Sequence, residues 1–261
     1  MSSLRHSLRA RASLLEPERQ RMLALMQLCY DNVDATRFFL DLDAKRDVII
    51  LRDVSPDVSR DASSDVSSDA SAIMGFSTVR IAEELCQGRR VDILFSGDTV
   101  IHPDCWGAKA LQWGFLEYTL RHKLKNPWRP LYWLLLSKGY KTYLLLTNNF
   151  PTAFPRRQTN PPAPLRSLRD KVATQWWGSD YDVTTEVVRF AASRDRVRHG
   201  VAALDPSTLA HPDVAFFVDR NPRWAEGDEL VCFAEIDFAL AARWLVKTVR
   251  RTVAPRVRDD R

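Results

Sequence analysis

The alternation of hydrophobic and polar positions along the chain predicts an α/β protein. Apolar residues recur at helical spacing after Glu16 and Pro17, which suit a helix start, whereas β-branched or continuously apolar runs predict strands. The predicted helices span 16–33, 107–125, 140–149, 165–176 and 229–251. The predicted strands span 48–51, 73–81, 91–101, 131–136, 186–190, 201–204 and 214–218. The uniformly apolar run 131–136 indicates a central strand covered on both faces.

Two segments interrupt this pattern. Residues 57–72 read DVSR DASS DVSS DASA, a four-residue repeat with nothing to bury, so we expect a disordered hairpin tip within 55–72. A phosphorylated or partner-binding loop is the alternative. Residues 151–164 contain five prolines with Arg156 and Arg157 among them, which indicates a linker or an irregular flap.

Composition narrows the class of protein. Hydrophobic residues make up 45% of the 261 positions, enough for a packed core, and the apolar runs are far shorter than the roughly 20 residues of a membrane-spanning helix. We therefore expect no transmembrane segment. The four cysteines form no Cys-x-x-Cys pair, so neither a zinc site nor a disulfide framework is predicted, and a cytoplasmic location fits best. These cysteines are Cys29, Cys86, Cys105 and Cys232.

Positive charge is concentrated near the two ends. The net charge is +5, and arginines cluster in 5–11 and 250–258, where solvated tails are the simplest interpretation. Residues 1–15 contain no acidic residue and superficially resemble an organellar transit peptide, but we expect a flexible basic arm. No nucleic-acid-binding motif is visible, so nucleic-acid or membrane-surface binding is only a third hypothesis.

The stretch VDILFSGDTVIHPDCWGAKALQWGF, residues 91–115, joins a strand, a turn and a helix. It is similar to the fourth strand, the V-x-P-x-x-x-G turn and the following helix of the GNAT superfamily of N-acyltransferases, and the order of elements over 20–150 resembles that family. The resemblance implies a mixed central sheet flanked by helices, here followed by an α+β C-terminal extension. It also implies transfer of an acyl group from acyl-CoA, acetyl-CoA included, to an amine, without a metal.

By this resemblance, the backbone between the strand and the helix binds the pyrophosphate of CoA, because a helix N-terminus favours anions. The residues in that place are Trp106, Gly107, Ala108, Lys109 and Ala110. The family's Arg/Gln-x-x-Gly-x-Gly/Ala pattern is not met, since Trp106 stands where Arg or Gln is usual, Lys109 replaces a glycine and Leu111 replaces a small residue. An acyl carrier protein as the donor, or loss of the donor, are therefore open alternatives.

The resemblance also implies candidate proton-transfer groups. An amine is deprotonated by a carboxylate or water, and a Tyr or Cys near the start of the last helix protonates the leaving thiolate. Tyr143 is the first candidate for this acid and Tyr140 the second, with a core position as the alternative for either. Asp98 is the candidate base, and Gly97-Asp98 suits a strand bulge equally well. His102 is a further candidate, with a structural role at the turn as its alternative.

Three more features carry a chemical and a structural interpretation. Cys105 would form an acyl-enzyme if it were activated, but a packed thiol is favoured. The run 138–143 contains two lysines that would bind adenosine phosphates or an acidic substrate, or simply begin a solvated helix. By analogy with the family, four residues before the second strand would line the acceptor site, with an exposed acidic turn as the alternative. They are Phe38, Phe39, Asp41 and Asp43.

These observations predict five segments and one leading function. The segments are a flexible arm (1–15), an acyltransferase core (16–150), a linker (151–164), an α+β extension (165–252) and a basic tail (253–261). The leading hypothesis is an N-acyltransferase that uses acyl-CoA or an acyl carrier protein and a small-molecule amine or amino-acid-like acceptor. A non-catalytic interaction protein on a degenerate acyltransferase scaffold is the alternative.

Overall fold

The computed structural model describes residues 4–54, 72–190, 196–197 and 204–240. Its strands are β1 Leu4–Ala10, β2 Tyr30–Asp31, β3 Asp47–Asp53, β4 Ile73–Cys86, β5 Arg89–Ile101, β6 Leu131–Ser137, β7 Tyr181–Asp182, β8 Val187–Val188, β9 Arg196–Val197 and β10 Glu229–Ile236. Its helices are α1 Glu16–Cys29, α2 Ala35–Asp43, α3 Ala110–Lys125, α4 Tyr140–Asn149, α5 Ala163–Trp177, α6 Pro206–Leu209 and α7 Pro212–Arg220. In these ranges, no helix is both long and apolar enough to cross a bilayer.

One eight-stranded sheet organises the structure, in the order β1-β3-β4-β5-β6-β10-β8-β7. Neighbouring strands are antiparallel except for β5 and β6, which are parallel and are joined through α3. The short strands β2 and β9 pair separately. The predicted mixed sheet flanked by helices is therefore confirmed, and its one parallel pair lies near the middle.

Side chains alternate between the two faces of the sheet, as strand geometry requires. The face that carries α3, α4 and α7 buries Ile49, Leu94 and Trp133. The opposite face holds two separate clusters, one under α1 and α2 and the other under α5, and its strand residues include Ile50, Ile93 and Leu134. Because the two clusters share no residue, this opposite face has two cores side by side.

The N-terminal residues differ from the expected flexible basic arm, because Leu4–Ala10 forms the edge strand β1. This strand pairs with β3 along its whole length. Its sequence alternates Leu4, His6 and Leu8 with Arg and Ser, a period-two pattern that the high arginine content obscured. The His6 ring also forms a hydrogen bond of 2.7 Å with the Glu117 carboxylate of α3.

Two predictions in the second half of the chain are wrong. The expected helix 229–251 begins instead as β10, which lies between β6 and β8 and buries nearly every side chain. A strand that is covered on both faces has a continuous apolar run, which also satisfies a helical stripe. Conversely, the expected strand 214–218 lies in α7, where Pro212 occupies the first turn and the His211 ring accepts a hydrogen bond from the Asp213 backbone N–H.

Other predictions hold within a few residues. The helix expected at 140–149 is α4, and that expected at 165–176 is α5. The first helix ends at Cys29, before its expected end, and α2 was not predicted. The Pro-rich segment packs on the sheet through Phe154, which exchanges backbone hydrogen bonds with Phe233 of β10. Most of the Asp/Ser repeat, the strand expected at 201–204 except Leu204, and the basic tail lie outside the described residues.

The buried carboxylate of Glu18 ties α1 to the edge of the sheet. It accepts a hydrogen bond from the Leu15 backbone N–H at 2.8 Å and another from the Arg52 guanidinium at 2.5 Å. We expect Glu18→Ala to lower the free energy of unfolding by about 3 kcal/mol, because Arg52 would lose its buried partner. Urea denaturation measures this change. Glu16→Ala on the same helix, at an exposed position, should change stability by less than about 0.5 kcal/mol, and equal effects of the two would contradict the prediction.

Candidate active site

The parallel strands β5 and β6 separate before either of them ends. They pair only from Asp92 to Ser96 on β5, opposite Leu131 to Leu135 on β6. Beyond that point β5 remains paired with β4 up to Ile101, while β6 remains paired with β10 up to Ser137. A cleft therefore opens at the carboxyl ends of two parallel strands, which is where open α/β sheets commonly bind ligands.

A bulge in β5 lies at the point of separation. Ser96 pairs with Val79 and Thr99 with Ser77, so that two residues, Gly97 and Asp98, oppose Thr78 alone. This confirms the strand irregularity that was one interpretation of Gly97-Asp98. Glycine is required by packing here, because a Cβ at position 97 would lie 2.6 Å from the Thr78 hydroxyl oxygen.

Just before the separation, an aromatic side chain joins the two strands. The Trp133 indole N–H of β6 donates a hydrogen bond of 2.9 Å to the Ser96 hydroxyl of β5, and both groups are buried. The indole also packs against Phe115 of α3 and against Phe150, with ring centroids 4.7 and 4.9 Å away. These contacts fix the closed end of the cleft.

A cavity of about 820 Å³ occupies the cleft and reaches both faces of the sheet. On the α3 side it is lined by Leu111, Gln112 and Phe115. On the opposite side it is lined by Met26 and Trp177, which belong to the two separate clusters of that face, and by Lys45. Its size matches that of small-molecule sites, which usually fall between about 300 and 1,000 Å³.

The segment expected to bind the donor's phosphates lies at the mouth of this cavity. Trp106 and Lys109 line the cavity, and Ala110 begins α3, whose N-terminus has no side-chain cap. Gly107 has φ of +86°, a left-handed conformation that favours glycine, and the Ala108 backbone N–H donates to the Cys105 carbonyl. The Trp106 indole N–H donates to the Ile101 carbonyl at 3.0 Å, which holds the ring at the end of β5.

The structure places neither tyrosine candidate in the cavity. Tyr143 is fully buried, donates its hydroxyl to the Pro155 carbonyl at 3.1 Å and stacks near Phe216. Burial raises the pKa of the Tyr143 phenol above its usual range. Tyr140 is also buried in the core cluster on this face. Their geometry favours the core position that was the alternative for both.

The two remaining proton-transfer candidates and the acyl-enzyme candidate Cys105 divide into one cavity residue and two residues outside the cavity lining. Asp98 lines the cavity at the bulge. His102 begins the short turn 103–105, and its Nδ1 accepts the Asp104 backbone N–H at 3.3 Å, as a structural residue would. Cys105 is buried beneath the same turn, which fits a packed thiol.

Of the residues expected at the acceptor site, the structure brings one to the cavity. Asp41 lines it, whereas Phe38 is buried under α2 against Phe76. Phe39 lies under the Arg19 guanidinium, and Asp43 forms an ion pair with the same guanidinium at 2.7 Å. This pair lowers the pKa of Asp43. The run 138–143 contributes three residues to the cavity, namely Lys138, Lys141 and Thr142.

Several cavity residues were not predicted from the sequence. Trp133 belongs to an apolar run that predicted only a buried strand, and Lys45 lies in the loop between α2 and β3 without a motif around it. Phe95 and Trp177 are 82 positions apart in numbering, yet their ring centroids lie 5.6 Å apart. A polar Ser96 at the end of an otherwise apolar strand stretch was the one local signal of a specialised position.

Comparisons with known proteins find similarity only at the level of structure. No protein-family model matches the chain, and no curated protein matches it significantly. An acetyltransferase from Trypanosoma brucei aligns with a TM-score of 0.38 and 16% identity, covering 60% of this chain and 99% of that one. An aminoglycoside acetyltransferase from a soil metagenome, solved with sisomicin, aligns with a TM-score of 0.39 and 11% identity, covering 61% of this chain and 95% of that one.

A third similar structure is a GCN5-related N-acetyltransferase from Kribbella flavida. Its TM-score is 0.37 and its identity 13%, and the alignment covers 56% of this chain but only 32% of that one. All three of these structures are described as acetyltransferases. At these low scores and identities, a proposal for the function of this chain depends on the geometry of its own residues.

We expect the bulge to tolerate no side chain at position 97. Gly97→Ala should lower the free energy of unfolding by about 1–3 kcal/mol, since the new methyl group meets the buried Thr78 side chain. Gly139→Ala is the matched control, because position 139 is extended and a Cβ there meets nothing within 4 Å. Urea denaturation of both variants measures the difference, and equal stability would contradict the tight packing of the bulge.

Proposed function

We propose that this protein is an N-acyltransferase that binds an acyl thioester in the cleft between β5 and β6. The observation that carries the proposal is the separation of these parallel strands after Ser96 and Leu135, which opens a cavity to both faces of the sheet. A thioester reaching in from one face and an amine from the other would meet where the strands part.

The shape of the cleft suits the donor's pantetheine arm. This arm is a narrow chain with two amide groups, and amides can pair with the backbone of a strand as an added strand does. The part of β5 from Gly97 to Ile101 no longer pairs with β6, so its edge faces the cavity. An arm lying there would place its thioester near Ser96.

The mouth of the cleft suits the donor's phosphates. The start of α3 has no side-chain cap, and the partial positive charge of a helix N-terminus attracts anions. Lys109 lies at that start and lines the cavity, so it adds a full positive charge. Lys141, at the start of α4, lines the cavity as well.

Asp98 is the group best placed to accept a proton. In the proposed reaction, the neutral acceptor nitrogen forms a bond to the thioester carbonyl carbon, and its proton passes to the Asp98 carboxylate. The C–S bond breaks to release a thiolate, which takes up a proton from water, and Asp98 returns its proton to water. The donor is acyl-CoA or an acyl carrier protein, and the acceptor is a small-molecule amine. A carboxylate at the bulge of β5 lies on the path between the two faces.

The proposal is tested by thermal unfolding with and without saturating acetyl-CoA and longer acyl-CoAs. A ligand that binds only the folded state raises the temperature midpoint of unfolding. At a ligand concentration one hundred times the dissociation constant, the free energy of unfolding increases by about 2.7 kcal/mol. We expect such a rise, and we expect Lys109→Glu to abolish most of it. Lys125→Glu at the other end of α3 is the charge-matched control and should keep the rise.

The outcomes separate the alternatives. No rise with any acyl-CoA, together with a rise on adding acyl carrier protein, would leave the carrier protein as the donor. No rise with either would favour the non-catalytic interaction protein. An equal loss of the rise in both lysine variants would remove the start of α3 from donor binding.

A second test separates Asp98 from Tyr143 by turnover. With a responsive acyl-CoA and amine, Asp98→Asn should lower kcat by about 100-fold or more, because a positioned general base contributes on that order. Tyr143→Phe should retain kcat while losing about 1 kcal/mol of stability, since only a buried hydrogen bond to Pro155 is removed. Thiol release and urea denaturation measure the two effects. A large fall in kcat for Tyr143→Phe with unchanged stability would restore its role as the acid.

A further inference from the structure

The side of the cavity opposite α3 contains a lysine at the point where the strands part. Lys45 lies in the loop between α2 and β3 and is half-buried. Its Cε would be only 2.7 Å from a Cβ at position 97, so the lysine stem lies directly against Gly97. The absence of a side chain at Gly97 thus gives Lys45 access to the bulge beside Asp98.

Lys45 differs in its charge partners from Lys138, another lysine of the cavity lining. The Lys138 ammonium lies 3.4 Å from the buried Glu229 carboxylate, and both residues line the cavity. Among the described residues, Lys45 has no carboxylate within ion-pair distance, and its ammonium lies 5.6 Å from the centroid of the Phe95 ring. A cation in a cavity without an ion-pair partner is suited to bind an anionic group of a ligand.

The wall beside Lys45 is aromatic. Phe95 and Trp177 line the cavity with their ring centroids 5.6 Å apart, and Trp176 makes an edge contact of the same distance with Phe95. The Arg80 guanidinium covers Trp176 at 4.4 Å, which closes the far side of the cluster. Because these rings hold one another, they form a firm apolar surface for a ligand side chain.

We propose that the acceptor is an α-amino acid with an aromatic or large apolar side chain, and that Lys45 binds its carboxylate. This inference rests on the proposed acyltransferase function. The side chain would pack against Phe95 and Trp177, and the carboxylate would face the Lys45 ammonium. Since the α-amine is attached to the carbon next to the carboxylate, it would lie beside the bulge, where Asp98 can accept its proton.

The first experiment measures binding without a donor. Isothermal titration calorimetry compares N-acetyl-L-phenylalanine, a product of the proposed reaction, with its uncharged amide, on the full chain. We expect the acid to bind about 10- to 100-fold more tightly, because the amide lacks the charge-assisted bond. Lys45→Met should remove this preference. Lys125→Met, on the exposed end of α3 and outside the cavity lining, should keep it.

The second experiment measures turnover with the acyl-CoA that gives the largest thermal shift. L-Phenylalanine and phenylethylamine differ only by the carboxylate, and thiol release gives kcat/KM for each. We expect L-phenylalanine to be preferred by about 10-fold or more, and Lys45→Met to lower kcat/KM for it alone, mainly through KM.

These outcomes distinguish the inference from the function on which it rests. Donor binding with equal use of both amines, or an equal effect of Lys45→Met on both, would overturn the role of Lys45 alone. Failure of both N-acetyl-L-phenylalanine and its amide to bind a folded protein would overturn the proposed acceptor class. Carboxylate binding without any donor binding would instead contradict the acyltransferase proposal.

Discussion

The cleft depends on how β5 and β6 pair with their other neighbours, β4 and β10. Each of these parallel strands has an antiparallel neighbour on its other side, and each follows that neighbour to its end. The bulge at Gly97-Asp98 turns β5 with β4, while the unbroken ladder with β10 keeps β6 on its course. The cleft is therefore a property of the sheet itself, and it does not require a separate loop or lid to form.

The two strands are held together by a side-chain hydrogen bond just before they separate. The buried bond from the Trp133 indole to the Ser96 hydroxyl crosses between the strands close to their last paired residues. Each group would otherwise bury a polar atom at a cost of a few kcal/mol. Because Phe115 and Phe150 pack on the indole, the helices of the α3 side help to hold it. The closed end of the cavity is thus set by packing and hydrogen bonding together.

The sequence was most informative where one local pattern decides the structure. The helix α4 has its expected bounds because its apolar residues follow helical spacing between a glycine and a phenylalanine, and β6 was recognised from a short run of Leu and aromatic residues. The bulge was foreseen as one interpretation of Gly97-Asp98. The tight packing around Gly97 was not predicted, because only the pairing of β4 with β5 brings Thr78 next to position 97.

Patterns that fit two structures led to errors. The apolar run of β10 satisfies both a fully covered strand and a helical stripe, and only its position between β6 and β8 decides for the strand. The apolar run at 214–218 in α7 is short enough for a strand and was predicted as one, although Pro212 before it is a helix-start signal. The place of Lys45 depends on the order β3-β4-β5 and on a missing side chain at Gly97, and neither is a property of the residues around Lys45.

The pairing of β6 with β10 changes how the second half of the chain relates to the site. The resemblance to an acyltransferase ended near residue 150, so the later residues looked like an addition to a finished core. In the structure, β10 is the antiparallel partner of β6, and this pairing continues beyond the point where β6 leaves β5. Phe154 of the Pro-rich segment forms two backbone hydrogen bonds with Phe233 of β10. Trp177 of α5 then forms part of the cavity wall. Residues far beyond the apparent core therefore determine both the opening of the cleft and the surface that an acceptor would meet.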